Sequence, residues 1–312
     1  MHYKITTLVE NAVYGRNLQA EHGLSLLIEN NGYKILFDTG QSDLFIHNAT
    51  LSDIEIAEVN FLILSHGHSD HTGGLRHFLS VNKKASVICK QEALYRKFKD
   101  KRENGVIDSN LLDLSRFRFI TGQTELIPGL FLFPDLPVIN PEDTHFERFF
   151  TQTPEGVVPD IFNDELAVAL IAENTYSVLS ACSHRGITNI LRTIGNCFPG
   201  YTFKLLAGGF HIHNAQDEKF SIIADYLKNN LDLSLYGYRQ IRVIPADIRK
   251  PCVLQLHGKY VLFINLGSPT TARSHLHLYL AIGRNWYDFL FIITGGTIGI
   301  DAIFEQFQFI IT

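Results

Sequence analysis

Ser65-His66-Gly67-His68-Ser69-Asp70-His71-Thr72-Gly73-Gly74 puts three imidazoles and a carboxylate into one loop, directly after the apolar run Val59 to Leu64. That run reads as a strand, so the loop sits at a strand end. In extended chain alternate side chains share a face, and His66 and His68 can converge on one cation. Asp70 and His71, beyond the bend, can serve a second cation beside it. Neutral imidazole and carboxylate suit zinc, iron(II) or manganese, and the lack of a thiolate cluster points to an open, catalytic site. Thr72-Gly73-Gly74 lets the backbone turn tightly and begin a helix beneath the metal. A lone loop histidine is usually a solvated side chain; the whole pattern behind a strand reads as a ligand set.

Upstream, Leu24 to Glu29 and Tyr33 to Asp38 are apolar strands joined at Asn30-Asn31-Gly32, a hairpin-turn signal. Asp38-Thr39-Gly40 ends the second strand, and Ser42 to Asn48 reads as a short helix. Downstream, Leu75, Phe78 and Leu79 have helical spacing, Ala85 to Cys89 reads as a strand, and Gln91 to Lys101 as a charged surface helix. Residues 102–160 are less regular, with strands expected at Phe117 to Ile120 and Leu130 to Phe133, and read as an insertion or lid. Order returns with the strands Leu166 to Ala172 and Tyr176 to Ala181, turning at Glu173-Asn174. A helix over Gly186 to Ile194, a strand over Phe203 to Ala207 and an amphipathic helix over Asp217 to Asn229 follow. Strand, polar loop and helix thus recur, with His184 and then His211 in the later loops. The expected organisation is a domain over 1–240 and a C-terminal segment over 241–312 that completes it or is appended to it.

The 312 residues, 46% hydrophobic and 19% charged, can bury a full core. A net charge of -5 offers no general electrostatic grip on nucleic-acid phosphates, so no nucleic-acid partner is expected. Cys89, Cys182, Cys197 and Cys252 are widely spaced without a CxxC pair, and a reducing cytoplasmic setting is the natural expectation. The N-terminus has no signal-peptide core. Trp286 to Ile300 is apolar but too short and broken to span a membrane. Oligomeric state is not legible.

The loop from Ser65 to Gly74 resembles the HxHxDH signature of the metallo-β-lactamase superfamily, which implies a four-layer αβ/βα sandwich in the α/β (α+β) class. Asp38 in Phe37-Asp38-Thr39-Gly40 resembles the aspartate that orients the metal loop in that superfamily; on local grounds it could equally cap a turn. Ala181-Cys182-Ser183-His184-Arg185-Gly186-Ile187-Thr188-Asn189-Ile190 and Gly208-Gly209-Phe210-His211 narrow the likeness to 7,8-dihydropterin-6-yl-methyl-4-(β-D-ribofuranosyl)aminobenzene 5'-phosphate synthase-like proteins, over roughly residues 1 to 235. The resemblance implies that His184 and His211 complete the coordination begun by His66, His68, Asp70 and His71, with Cys182 near the bridging position. Cys182 could instead be a small buried hydrophobe. Asp164-Glu165 also resembles a subgroup element, or is a solvated turn. Where the subgroup carries a late His-Cys-Thr-Gly run, this chain reads Ile241-Arg242-Val243-Ile244-Pro245-Ala246-Asp247, and its tail, with His257, His275 and His277, reads as divergent or frame-altered.

The expectation is a hydrolase with two divalent ions, zinc first and iron or manganese as alternatives, whose metal-bound hydroxide attacks a small, phosphate-bearing or pterin-like substrate. Asp70 and His211 are the expected catalytic residues, and Arg185 a phosphate anchor or an ordinary surface arginine. Two other classes stay open: an RNA or cyclic-nucleotide phosphodiesterase of the same superfamily, and a non-hydrolytic metal-binding or redox module.

Overall fold

The computed structural model describes residues 2–11, 13, 17–106, 112–211 and 217–230, and four strands within 252–311. The antiparallel meander β1 (Tyr3–Val9), β2 (Ser25–Asn30) and β3 (Tyr33–Phe37) opens the chain. Its second turn is tight because Asn31 and Gly32 both take positive φ, 46° and 81°, the geometry a two-residue hairpin needs. Helix α1 (Leu44–Leu51) starts two residues later than its sequence suggests. Glu21 holds the approach in place, its carboxylate accepting from the Gln41 and Ser42 amides and from Ser42 Oγ.

Strand β4 (Phe61–Ile63) delivers the chain into the histidine loop, which closes into α2 (Ser69–Thr72) and α3 (Leu75–Val81); β5 (Ser86–Cys89) follows. The glycines at 73 and 74 permit this closure. A Cβ would lie 2.2 Å from Gln41 O at Gly73 and 2.4 Å from Ser42 O at Gly74, so the backbones touch directly.

The charged helix expected over Gln91 to Lys101 does not form. A 3-10 turn over Gln91–Leu94 is followed by β6 (Lys97–Lys99) and β7 (Arg102–Glu103). Period-two alternation wins because Lys97 turns inward to buried carboxylates, while Arg96 and Glu103 pair outside at 2.8 Å. Next come β8 (Phe117–Phe119), the hairpin β9 (Thr124–Ile127) and β10 (Leu130–Phe133), and the hairpin β11 (Phe149–Thr153) and β12 (Gly156–Pro159).

The later chain contains β13 (Ala167–Ala172), β14 (Thr175–Ser180), α4 (Ile187–Cys197), β15 (Thr202–Gly208), α5 (Asp217–Asn230), β16 (Cys252–Leu256), β17 (Lys259–Ile264), β18 (Phe289–Thr294) and β19 (Gln308–Ile311). The boundary expected at residue 240, the segment 241–247 and His257, His275 and His277 lie outside the described residues.

Two compact units result. One comprises Met1–Asp135, Phe146–Ala167 and Gly299–Thr312; the other comprises Leu136–His145 and Val168–Ile298. The first carries a sheet in the order β19-β1-β2-β3-β4-β5-β8, whose strands β3, β4, β5 and β8 run parallel, and a small sheet β12-β11-β6-β7. Its core gathers Leu36, Phe45, Leu62, Phe78 and Val87, all fully buried, so the sheet face and helices α1 and α3 share one apolar layer. The second unit carries β16-β17-β18-β15-β14-β13 in that order, with β14 and β15 parallel. Helix α4 buries Ile187, Ile190, Leu191 and Ile194, and α5 buries Ile223 and Leu227 at helical spacing.

Candidate metal centre

In α/β sheets ligands gather beyond the carboxyl ends of parallel strands, where loops are free to carry polar groups. The predicted site residues all occupy such places. Asp38 follows β3 and the histidine loop follows β4; in the second unit Cys182 and His184 follow β14 and His211 follows β15.

In the first unit His66, His68, Asp70 and His71 are all buried. Their rings crowd together, His66 lying 4.8 Å from His68 and 4.5 Å from His71 between centroids. Asp38 organises them from beneath. Its carboxylate accepts from the Ser65 amide at 2.7 Å, from Ser65 Oγ at 2.6 Å and from His71 Nδ1 at 2.7 Å. Asp38 itself sits at φ 61°, a conformation few non-glycine residues adopt and one that tends to occur at functional sites. The bond to Asp38 fixes the His71 tautomer, so its Nε2 is turned to Asp70 Oδ2 at 3.5 Å. His66 likewise meets Ser65 Oγ through Nδ1 at 2.8 Å. Phe149 and Phe162 wall in the His68 ring, 4.8 and 5.1 Å away.

Electrostatics keep these groups in ligand-competent form. Burial first, then the neighbouring His71 and His68, hold the His66 ring well below the ordinary imidazole range. Burial pushes His68 down to about 3. Both rings are therefore neutral at pH 7, the form that binds a cation. Burial alone would raise Asp70, but the facing His71 ring, with His22 and His68, holds its carboxyl well below the usual range, so it stays ionised.

In the second unit Cys182 Sγ and one ring nitrogen each from His184 and His211 lie within 4.8 Å of one another. His184 is fully buried, and its Nδ1 is bonded to the His145 carbonyl at 3.1 Å. Ser183 and His211 both adopt positive φ, 55° and 47°, and Ser183 Oγ donates to Gly209 O, which locks the two loops together. Cys182 is buried, which is compatible both with a small packed residue and with ligation. Arg185 is half-buried and its Nε donates to Leu136 O at 2.6 Å. Each donor set by itself, imidazole with carboxylate in the first unit and imidazole with thiol in the second, fits a divalent ion of the zinc, iron or manganese type.

Three participants carry no motif. His22 Nε2 lies 3.3 Å from Asp70 Oδ2, its Nδ1 meeting Asn11 Oδ1 at 2.7 Å. Gly23 presses against the Asp70 carbonyl, 2.1 Å from where a Cβ would stand. His145 stacks on His211 at 4.3 Å. The carrier of His145 is the 139–145 loop, tied to α4 by Asn189 Oδ1, which accepts from the Ile139 and Asn140 amides, and by Asp143, which accepts from the Thr188 amide at 2.6 Å. Neither His22 nor His145 stands in a run with ligand spacing at the end of an apolar strand, so the sequence gives no signal for them. Asp164, offered by the sequence as a subgroup element or a solvated turn, is fully buried, which removes the solvated alternative.

The profile of the metallo-beta-lactamase superfamily matches residues 18–159, a span that contains the whole first donor set. The chain belongs to the metallo-β-lactamase superfamily and has its mixed α/β fold. Within it the chain is 30% identical over 236 residues to the 7,8-dihydropterin-6-methyl-4-(beta-D-ribofuranosyl)-aminobenzene-5'-phosphate synthase of Methanocaldococcus jannaschii, a match spanning 69% of this chain and 80% of the relative. It is 29% identical over 236 residues to an uncharacterized protein of the same organism, covering 72% of this chain and 86% of that one. The crystal structure of a metal-dependent hydrolase of the β-lactamase superfamily superposes with a TM-score of 0.64 at 30% identity, covering 72% of this chain and 83% of the other.

Proposed function

We propose that the protein is a metal-dependent hydrolase acting on a small, phosphate-bearing or pterin-like molecule, with His66, His68, Asp70 and His71 as metal ligands and His184 and His211 completing the set. The observation that carries the reading is the convergence of four buried donors behind β4, with the His66 ring 4.8 Å from His68 and 4.5 Å from His71, and His71 Nε2 3.5 Å from Asp70 Oδ2. A divalent ion held there supplies Lewis-acid chemistry that lowers the pKa of bound water from 15.7 towards roughly 7. Two ions, zinc before iron or manganese, would suit this number of donors, with Cys182 as a further thiol donor. Asp70, which has His71 Nε2 3.5 Å and His22 Nε2 3.3 Å away, would accept a hydrogen bond from the attacking water and orient it. We assign His211 to the developing negative charge and Arg185 to a substrate phosphate. Asp38 keeps His71 in the tautomer the reaction needs.

The synthase relative supports the phosphate-bearing, pterin-like class, and its name also keeps bond formation on the same site as a second reading. No helix among the described residues is long and apolar enough to cross a membrane. A cytoplasmic setting is our inference from the wide separation of the cysteines. The test is elemental analysis of the purified protein coupled to a panel of esters, phosphomonoesters and phosphodiesters. Bound metal with hydrolysis that Asp70→Ala abolishes is the expected result. Full activity in a folded, metal-verified Asp70→Ala protein overturns the assignment.

A further inference from the structure

We propose that Asp164, clamped by Lys97, is a positioning residue that sets the geometry of the metal-binding loop; the inference rests on the metal reading above. Lys97 is buried, yet its Nζ lies 2.8 Å from Asp160 Oδ2 and 2.9 Å from Asp164 Oδ1. The other oxygen of Asp164 accepts from the Gly67 amide at 2.7 Å, and Gly67 stands between His66 and His68. That amide is one of three alternate anchors. Ser65 O accepts from the Leu166 amide at 2.8 Å, and the Ser69 amide donates to Asn104 O at 3.0 Å. Backbone groups at 65, 67 and 69 are thus fixed to neighbouring chain on either side of each histidine, which holds the His66 and His68 rings together at 4.8 Å.

Gly67 also explains why the residue between the two histidines carries no side chain. A Cβ there would come within 2.3 Å of Ala93 O and 3.1 Å of Lys97 Cε, so the loop lies directly on the lysine stem. The two outer anchors are main-chain carbonyls and amides, whereas the central one is a side chain held by a buried ion pair. Buried ion pairs stabilise poorly because desolvation opposes their attraction, and their best-attested benefit is a specified geometry. Asp160 serves the clamp from the far side. Its Oδ1 accepts from the Phe162 amide at 2.8 Å and its Oδ2 meets Lys97, with no bond to the histidine loop among those described.

Full-length protein stripped of metal and titrated with Zn²⁺ by calorimetry tests the assignment, with circular dichroism and unfolding midpoints of the metal-free proteins as fold controls. Asp164→Ala is expected to weaken Zn²⁺ binding about tenfold or more, the usual effect of losing a group that orients a ligand. Asp164→Asn has one oxygen, which can serve the Gly67 amide or Lys97 but not both, and is expected to bind Zn²⁺ more tightly than Asp164→Ala and less tightly than the wild type. Wild-type affinity in folded Asp164→Ala overturns the inference, as does Asp164→Asn being as weak as Asp164→Ala. Should Asp164→Ala fail to fold, the Gly67 amide proton of the wild-type protein decides. Protection from solvent exchange is expected, and exchange at the rate of an open loop overturns the inference. A wild-type chain that takes up no Zn²⁺ overturns the metal reading itself; a binding wild type with an equally tight Asp164→Ala overturns the positioning role alone.

Discussion

Asp38 gathers three hydrogen bonds on one buried carboxylate. Asp38→Ala leaves the Ser65 amide and hydroxyl and the His71 ring without that acceptor, at about 1–3 kcal/mol for each buried group stranded. Urea unfolding should register a loss of at least about 3 kcal/mol, and Zn²⁺ affinity should fall about 10- to 100-fold. Unchanged affinity would show that His71 is oriented by something else. Asp143 offers a pH test. Burial pushes its folded carboxyl up to about 6 from an ordinary 3.8. The fold therefore favours the protonated form, a contribution fully present below pH 3.8 and lost as pH rises through about 6. Asp143→Asn should gain on the wild type by about 2–3 kcal/mol between pH 4 and 7, because each pH unit separating the folded from the unfolded titration is worth about 1.4 kcal/mol. Thermal unfolding at the two pH values checks it, and a pH-independent difference would contradict it. At this scale the histidine loop, Asp38, His184 and His211 were legible because each stands at the end of an apolar run. His22, His145 and Lys97 were not, since what gives them meaning is a partner far away in sequence.

Elements were legible where one face is apolar. The hairpin at Asn31-Gly32, strands β4 and β5 and helix α4 fall within a few residues of their expected places, for their periodicity and turn chemistry agree. The stretch Gln91 to Lys101 misled because its charges imitate a solvated helix. Its one buried lysine is satisfied by Asp160 and Asp164, more than sixty residues on, and local pattern carries no trace of that. Helix α3 has a different dependence, resting on Phe78, which is fully buried against α1 and the parallel sheet. Phe78→Ala should cost about 3–5 kcal/mol in chemical unfolding, the range for an emptied aromatic site in a core. A loss below about 1 kcal/mol would mean that the layer re-packs around the gap.

For the molecule as a whole, a cation that binds only the folded chain must stabilise it. Excess metal at a hundredfold its dissociation constant adds about 2.7 kcal/mol, so chelation should lower the unfolding midpoint and re-addition restore it. The superfamily was legible from a few loop residues because metal chemistry demands particular donors at particular strand ends; the division into two units was not, since it depends on contacts between distant segments. The most direct test of the central claim is metal stoichiometry, measured by mass spectrometry on protein purified in metal-supplemented medium, for the wild type and for His66→Ala, His68→Ala and Asp70→Ala. Stoichiometric divalent metal is expected in the wild type, with its loss in each folded variant. A wild-type protein devoid of metal, or variants that retain it in full, would contradict the claim.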